Sequence, residues 1–131
     1  MELTTILFEA HSGVRYLVLL AGVAAFLYTL VAAVRSRPWD RTGRILMAVF
    51  TGVLDLQLLL GLVLVFLWQF YGALIGHITM MLLAAAVAHI GSVVNKRRPV
   101  ERRSHMTAAL ASAGALVLII GGIAAIQRAI L

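Results

Sequence analysis

The sequence predicts an all-α fold, an integral membrane antiparallel four-helix bundle, and three observations carry that reading. Of the 131 residues, 63% are hydrophobic and 12% are charged, with a mean hydropathy of +1.03. A soluble domain of this size cannot hide so much apolar surface. The apolar runs are continuous, not alternating, which selects helices over a barrel. Nine of the eleven Lys and Arg lie in two short segments, Arg35 to Arg44 and Lys96 to Arg103. Basic flanks between apolar runs are an orientation signal. They argue against nucleic acid as the partner despite a net charge of +6.

Four spans follow in order, in one domain covering residues 1–131. The first runs from Leu3 or His11 to Val34, the second from Ile45 to Phe70, the third from Tyr71 or Gly76 to Val94, and the fourth from His105 to Ile126. Each supplies the roughly 20 residues that a spanning helix needs. Within the first, Gly22-Val23-Ala24 has the small-x-small form of a cleavage site. The apolar run continues through it, and the N-terminus lacks a basic region, Glu2 and Glu9 being its only charges, so no cleaved signal peptide is predicted. The linkers RSRPWDRTGR and NKRRPVERRS are short and punctuated by Pro38 and Pro99. Trp68 and Tyr71, between the second and third spans, suit a membrane interface. Short links make neighbouring helices antiparallel, so both basic loops share one side. The positive-inside rule places residues 35–44 and 96–103 in the cytoplasm and both termini outside, in a bacterial inner membrane.

Cysteine is absent. That excludes disulfides, thiolate metal sites, iron–sulfur clusters and covalently attached haem. The four histidines are then the candidate metal ligands. His11 and His77 fall near the outer face on different helices, where two imidazoles can take both axial positions of one haem iron. His89 lies roughly 18 Å deeper than His77 and about 120° around the helix from it. His105 opens the fourth span at the inner face, and these two form a candidate second pair. Each also has a plainer reading. His11 and His77 can be interfacial residues bonded to backbone or headgroups, His89 a polar contact between helices, and His105 a solvated residue at a helix start.

Arg15 shares a face with His11, one turn away, and either binds a haem propionate or snorkels to headgroups. Ser12 and Gly13 beside it leave room for a helix or a flat ring. Gln57 shares a face with Gly61, which admits a cofactor edge or a close-packed helix. Asp55 lies near mid-membrane, about 200° around the helix from Gln57, and an intramembrane carboxylate is a functional candidate by default. Met80 and Met81 read as space-filling, and the Ala-, Ser- and Gly-rich fourth span as a packing helix without chemistry.

The segments HSGVRYLVLL, QLLLGLVLVF and GHITMM resemble a family of small bacterial four-helix membrane proteins labelled cytochrome b-like. Its members show His-Ser-Gly-x-Arg with an aromatic, then Gln-Leu-Leu-x-Gly, then His-x-x-Met-Met. Here these positions are His11, Ser12, Gly13, Arg15, Tyr16, Gln57, Leu58, Leu59, Gly61, His77, Met80 and Met81. The resemblance covers three of the four spans and rests on the order and spacing of short motifs. It implies haem b and no defined reaction. Where many members carry a histidine two residues before the glutamine, this chain has Asp55, so one ligand position is missing.

The function expected is a b-type cytochrome-like protein with one or two non-covalent haems, exchanging electrons, with quinone as a candidate partner. The alternative is an accessory subunit, without its own cofactor, of a larger respiratory or photosynthetic complex. A homodimer is compatible with the first reading. A carrier of protons or small solutes through Asp55 is a third, weaker idea.

Overall fold

The computed structural model describes residues 2–67 and 72–130, with side chains described except at 72–73 and 127–130. The chain forms four long helices: α1 (Leu3–Val34), α2 (Arg41–Leu67), α3 (Gly72–Arg97) and α4 (His105–Ile130), with a short 3₁₀ turn at Val100–Arg102. Each is long and apolar enough to cross a membrane. Trp68, Phe70 and Tyr71 lie outside the described residues. At the two basic linkers, helix boundaries differ from the sequence reading. Helix α2 starts four residues before Ile45, and α3 runs three residues past Val94. The cause is local hydrogen bonding, which hydropathy does not register.

At the end of α1, Ser36 adopts φ 56°. Its N–H bonds to the Ala33 carbonyl, and the Arg37 N–H to the Ala32 carbonyl. This is a Schellman closure, and Pro38 follows it. Asp40 then caps α2, its Oδ1 accepting from the Gly43 N–H at 2.8 Å. The other carboxylate oxygen accepts from the Tyr28 hydroxyl on α1 at 2.5 Å. Ser104 caps α4 through the Thr107 N–H at 3.2 Å. Asn95 clamps the same turn, accepting from the Ser104 N–H at 2.9 Å and donating to the Ser104 carbonyl at 3.2 Å. Arg103 donates to the Lys96 and Arg98 carbonyls at the end of α3, which lets that helix extend to Arg97.

The helices stand as a square. Helix α1 packs along α2 and α4, and α3 packs most extensively along α4. The α2–α3 side is sparsely packed and forms an open seam. Small residues set the α3–α4 spacing. Ala84, Ala88, Ala108, Ala111 and Ala115 are all buried, and a Cβ on Gly91 would collide with that of Ala111. Between α1 and its neighbours, a Cβ on Gly22 would stand 2.6 Å from Leu116 and 2.9 Å from Phe50. Such contacts let backbones approach closely and supply the dispersion energy that holds apolar helices together. Buried Thr29, Thr51 and Ser112 each return their hydroxyl to the carbonyl four residues earlier, so none needs an external partner.

The two basic loops meet. His105, at the start of α4, donates from Nε2 to the Pro38 carbonyl at 3.0 Å and lies 3.7 Å from Asp40. Its ring also rests against Trp39, with centroids 5.0 Å apart. Burial pushes the Asp40 carboxyl up. Hydrogen bonds from Tyr28 and Gly43, with the charges of His105 and Arg37, outweigh that and hold it below the ordinary value.

Asp40→Ala is expected to destabilise the protein by about 1 kcal/mol, the usual worth of such a cap, read as a lower thermal midpoint in detergent. A carboxyl held low contributes fully above the unfolded value of about 3.9. That contribution is lost as pH falls through the folded value, so the gap between wild type and Asp40→Ala should narrow in acid.

Candidate functional site

At the end of the bundle away from the basic loops, His11 of α1 and His77 of α3 face each other across the diagonal. Their ring centroids are 6.4 Å apart and their planes nearly perpendicular, at 86°. The two helices share almost no other contact, so the rings close the top of the bundle between them.

Each ring is prepared by a neighbouring helix. His77 Nδ1 lies 3.0 Å from the Gly122 carbonyl on α4. A carbonyl only accepts, so Nδ1 carries the proton, and in the neutral ring the Nε2 lone pair is left free. Gly122 makes this possible. A Cβ there would collide with the Met81 methyl and stand 3.1 Å from the Met80 Cβ. On α1, the His11 backbone carbonyl accepts from Gln57 Nε2 at 2.7 Å. Gly61, one turn further along α2, lies beneath the His11 ring, where a Cβ would stand 3.2 Å from Cε1.

Two buried polar atoms here have no partner: His11 Nδ1 and Gln57 Oε1. Buried polar atoms are nearly always bonded, so two orphans in one place single this cavity out as the candidate site. Both residues line a cavity of about 130 Å³, together with Ser12, Arg15, His77 and Met81. Apolar Leu54, Ile119 and Ile123 complete its wall. The Arg15 guanidinium itself turns outward, donating to the Tyr16 hydroxyl at 3.1 Å and lying 4.9 Å from the centre of that ring. Gly13 faces open space instead of a neighbouring helix.

The ligand geometry and the volume point in different directions for a haem. Two imidazoles sharing one metal ion, with a metal–nitrogen bond of about 2.0 Å and about 1.1 Å from nitrogen to ring centre on each side, would stand about 6.2 Å apart. The observed centroid separation of 6.4 Å is close to that, with the rings edge to face. The cavity of about 130 Å³ is smaller than the roughly 300–1,000 Å³ of most cofactor pockets. A macrocycle enters only if the ends of α1 and α3 move apart.

The structure does not bring His89 and His105 together. His89 bonds from Nε2 to both oxygens of Asp55, at 2.8 and 2.9 Å, across the α2–α3 seam. His105 is neither solvated nor directed at a cofactor. It is 1% exposed and held by Pro38 and Trp39. Its Nδ1 is buried without a partner, but the ring is walled in by Trp39, Tyr28 and Gly43. Among the described residues, no group of three or more His, Asp or Glu forms a metal cluster.

The fourth span, read as a packing helix, supplies the group that orients His77. The Gly121-Gly122 pair was its signal, since a glycine amid a helix marks close backbone approach. Nitrogen-15 NMR of imidazole-labelled protein should show the neutral His77 ring with its proton on Nδ1. Finding it on Nε2 would contradict the Gly122 hydrogen bond.

No protein-family model matches this sequence, and no characterised protein or solved structure is significantly similar to it.

Proposed function

We propose that the chain is a b-type haem protein of the bacterial inner membrane, with one haem between His11 and His77. The observation that carries this reading is two imidazoles on different helices facing one cavity beside two orphaned buried polar atoms. The basic loops face the cytoplasm and both termini the outside, which puts the site near the outer surface.

His77 offers its Nε2 lone pair because Gly122 holds the proton on Nδ1, and that hydrogen bond makes the ring a better donor. His11 supplies the facing ring, steadied through its backbone by Gln57. Arg15, now against Tyr16, would pair with a propionate, since a guanidinium–carboxylate pair is strong. When bound, the haem iron gains and loses one electron. The apolar wall of Leu54, Ile119 and Ile123 excludes water and favours the form with lower net charge. Quinone, as a diffusible partner in the lipid, is the electron donor or acceptor that suits this location.

The small volume favours a second reading, a single soft metal ion. Two imidazoles and the Met81 thioether suit copper(I). Membranes from cells expressing the chain with ample haem precursor should give protein with a Soret band and a b-type reduced-minus-oxidised spectrum, lost in His77→Ala. Folded protein with stoichiometric copper and no Soret band would replace the haem reading with the copper one. Protein with neither would overturn both and favour an accessory subunit.

A further inference from the structure

Asp55 and His89 sit at the middle of α2 and in the inner half of α3, joined by hydrogen bonds of 2.8 and 2.9 Å. Their side chains are 50% and 48% exposed. They lie on the outer side of the sparsely packed α2–α3 seam, flanked by exposed Leu56, Leu59, Leu82 and Ile90. Water does not reach this depth of a spanning bundle, so half of a carboxylate–imidazole pair faces hydrocarbon. The hydrogen bonding within the chain is also incomplete. One His89 N–H serves both Asp55 oxygens, and His89 Nδ1 has no partner among the described residues. A carboxylate has about four acceptor positions, and an imidazolium has a second N–H to give.

We propose that this face docks a second copy of the chain, around a two-fold axis along the bundle. The argument is charge complementarity. Asp55 and His89 share one depth because they are bonded to each other. A two-fold along the membrane normal preserves depth and exchanges the helices, so α2 of one copy faces α3 of the other. His89 Nδ1–H then meets the partner's Asp55, and Asp55 accepts from the partner's His89. With both imidazoles protonated, the four side chains close a neutral ring in which every N–H has an acceptor. A polar group in lipid that is satisfied by a neighbouring helix is the usual glue between helices. The backbone admits the approach. Gly52, one turn from Asp55, is exposed, and a Cβ there would meet nothing within 4 Å. Ala48 and Gly52 on α2, with Ala86 on α3, form a small-residue floor around the pair.

The inference rests on the helices spanning a bilayer, not on what fills the His11–His77 cavity. The chain has no cysteine, which makes single-cysteine crosslinking clean. Gly52→Cys or Ala86→Cys, on the proposed face, is compared with Val117→Cys, 70% exposed on α4. Each variant is reconstituted at high dilution in phosphatidylcholine–phosphatidylglycerol vesicles, washed with alkaline carbonate and treated with a short bis-maleimide. The seam cysteines should give at least fivefold more dimer than Val117→Cys. Adding Asp55→Leu and His89→Leu together should reduce that dimer to the control level, and exchanging the two residues (Asp55→His with His89→Asp) should restore it. Equal crosslinking at Val117 and the seam, or seam dimers that survive the double leucine change, would overturn the proposal. A chain that washes off the vesicles would overturn it together with the membrane reading, while leaving a haem or copper result unaffected.

Discussion

Gly91 has no room for a side chain because Ala111 stands against it, and the same constraint runs the length of the α3–α4 contact. Lipid tails are as apolar as leucine, so these helices gain little by hiding from their surroundings and hold together by contact density. Alanine and glycine at the contact bring the two backbones close enough for a main-chain carbonyl on one helix to bond a side chain on the other. The Gly122–His77 hydrogen bond is such a case. The orientation of the His77 ring therefore depends on small residues that carry no functional groups.

The two ends of the bundle use histidine in opposite ways. At the basic end, His105 works with Asp40, Tyr28, Pro38 and Trp39 to lock three helices and both loops. At the other end, His11 and His77 are held by single hydrogen bonds at their edges or backbone, and they keep ring nitrogens facing a cavity. The first arrangement commits its ring to the fold, with Nε2 bonded to Pro38 and Nδ1 walled in. The second leaves His11 Nδ1 and Gln57 Oε1 without partners beside a cavity. Between them, the α2–α3 seam has the sparsest packing of the four sides, and there the Asp55–His89 pair is shown to the outside.

Several parts of this arrangement were legible in the chain. Antiparallel geometry follows from short linkers, and the pairing of His11 with His77 follows from their depth on alternate helices. The shared face of Gln57 and Gly61 on α2 was legible too, but not that it packs against His11. Depth alone misled for His89 and His105. Depth does not say which way a side chain points, and the 3.6-residue period turned His89 toward Asp55 while the α4 start buried His105 under Trp39. Helix ends were also misjudged, because Asp40 and Arg103 extend helices through residues that hydropathy counts as loop.

The sequence by itself determined four apolar helices, their antiparallel order and the clustering of the basic loops at one end. These depend on composition and linker length, which are local quantities. Only the tertiary structure decided which polar groups meet. The proton on His77 Nδ1, the orphaned atoms of His11 and Gln57, the size of the cavity and the outward-facing Asp55–His89 pair all depend on how far each helix is rotated and how closely it approaches its neighbour. Those quantities are set by van der Waals contact between helices distant in the chain.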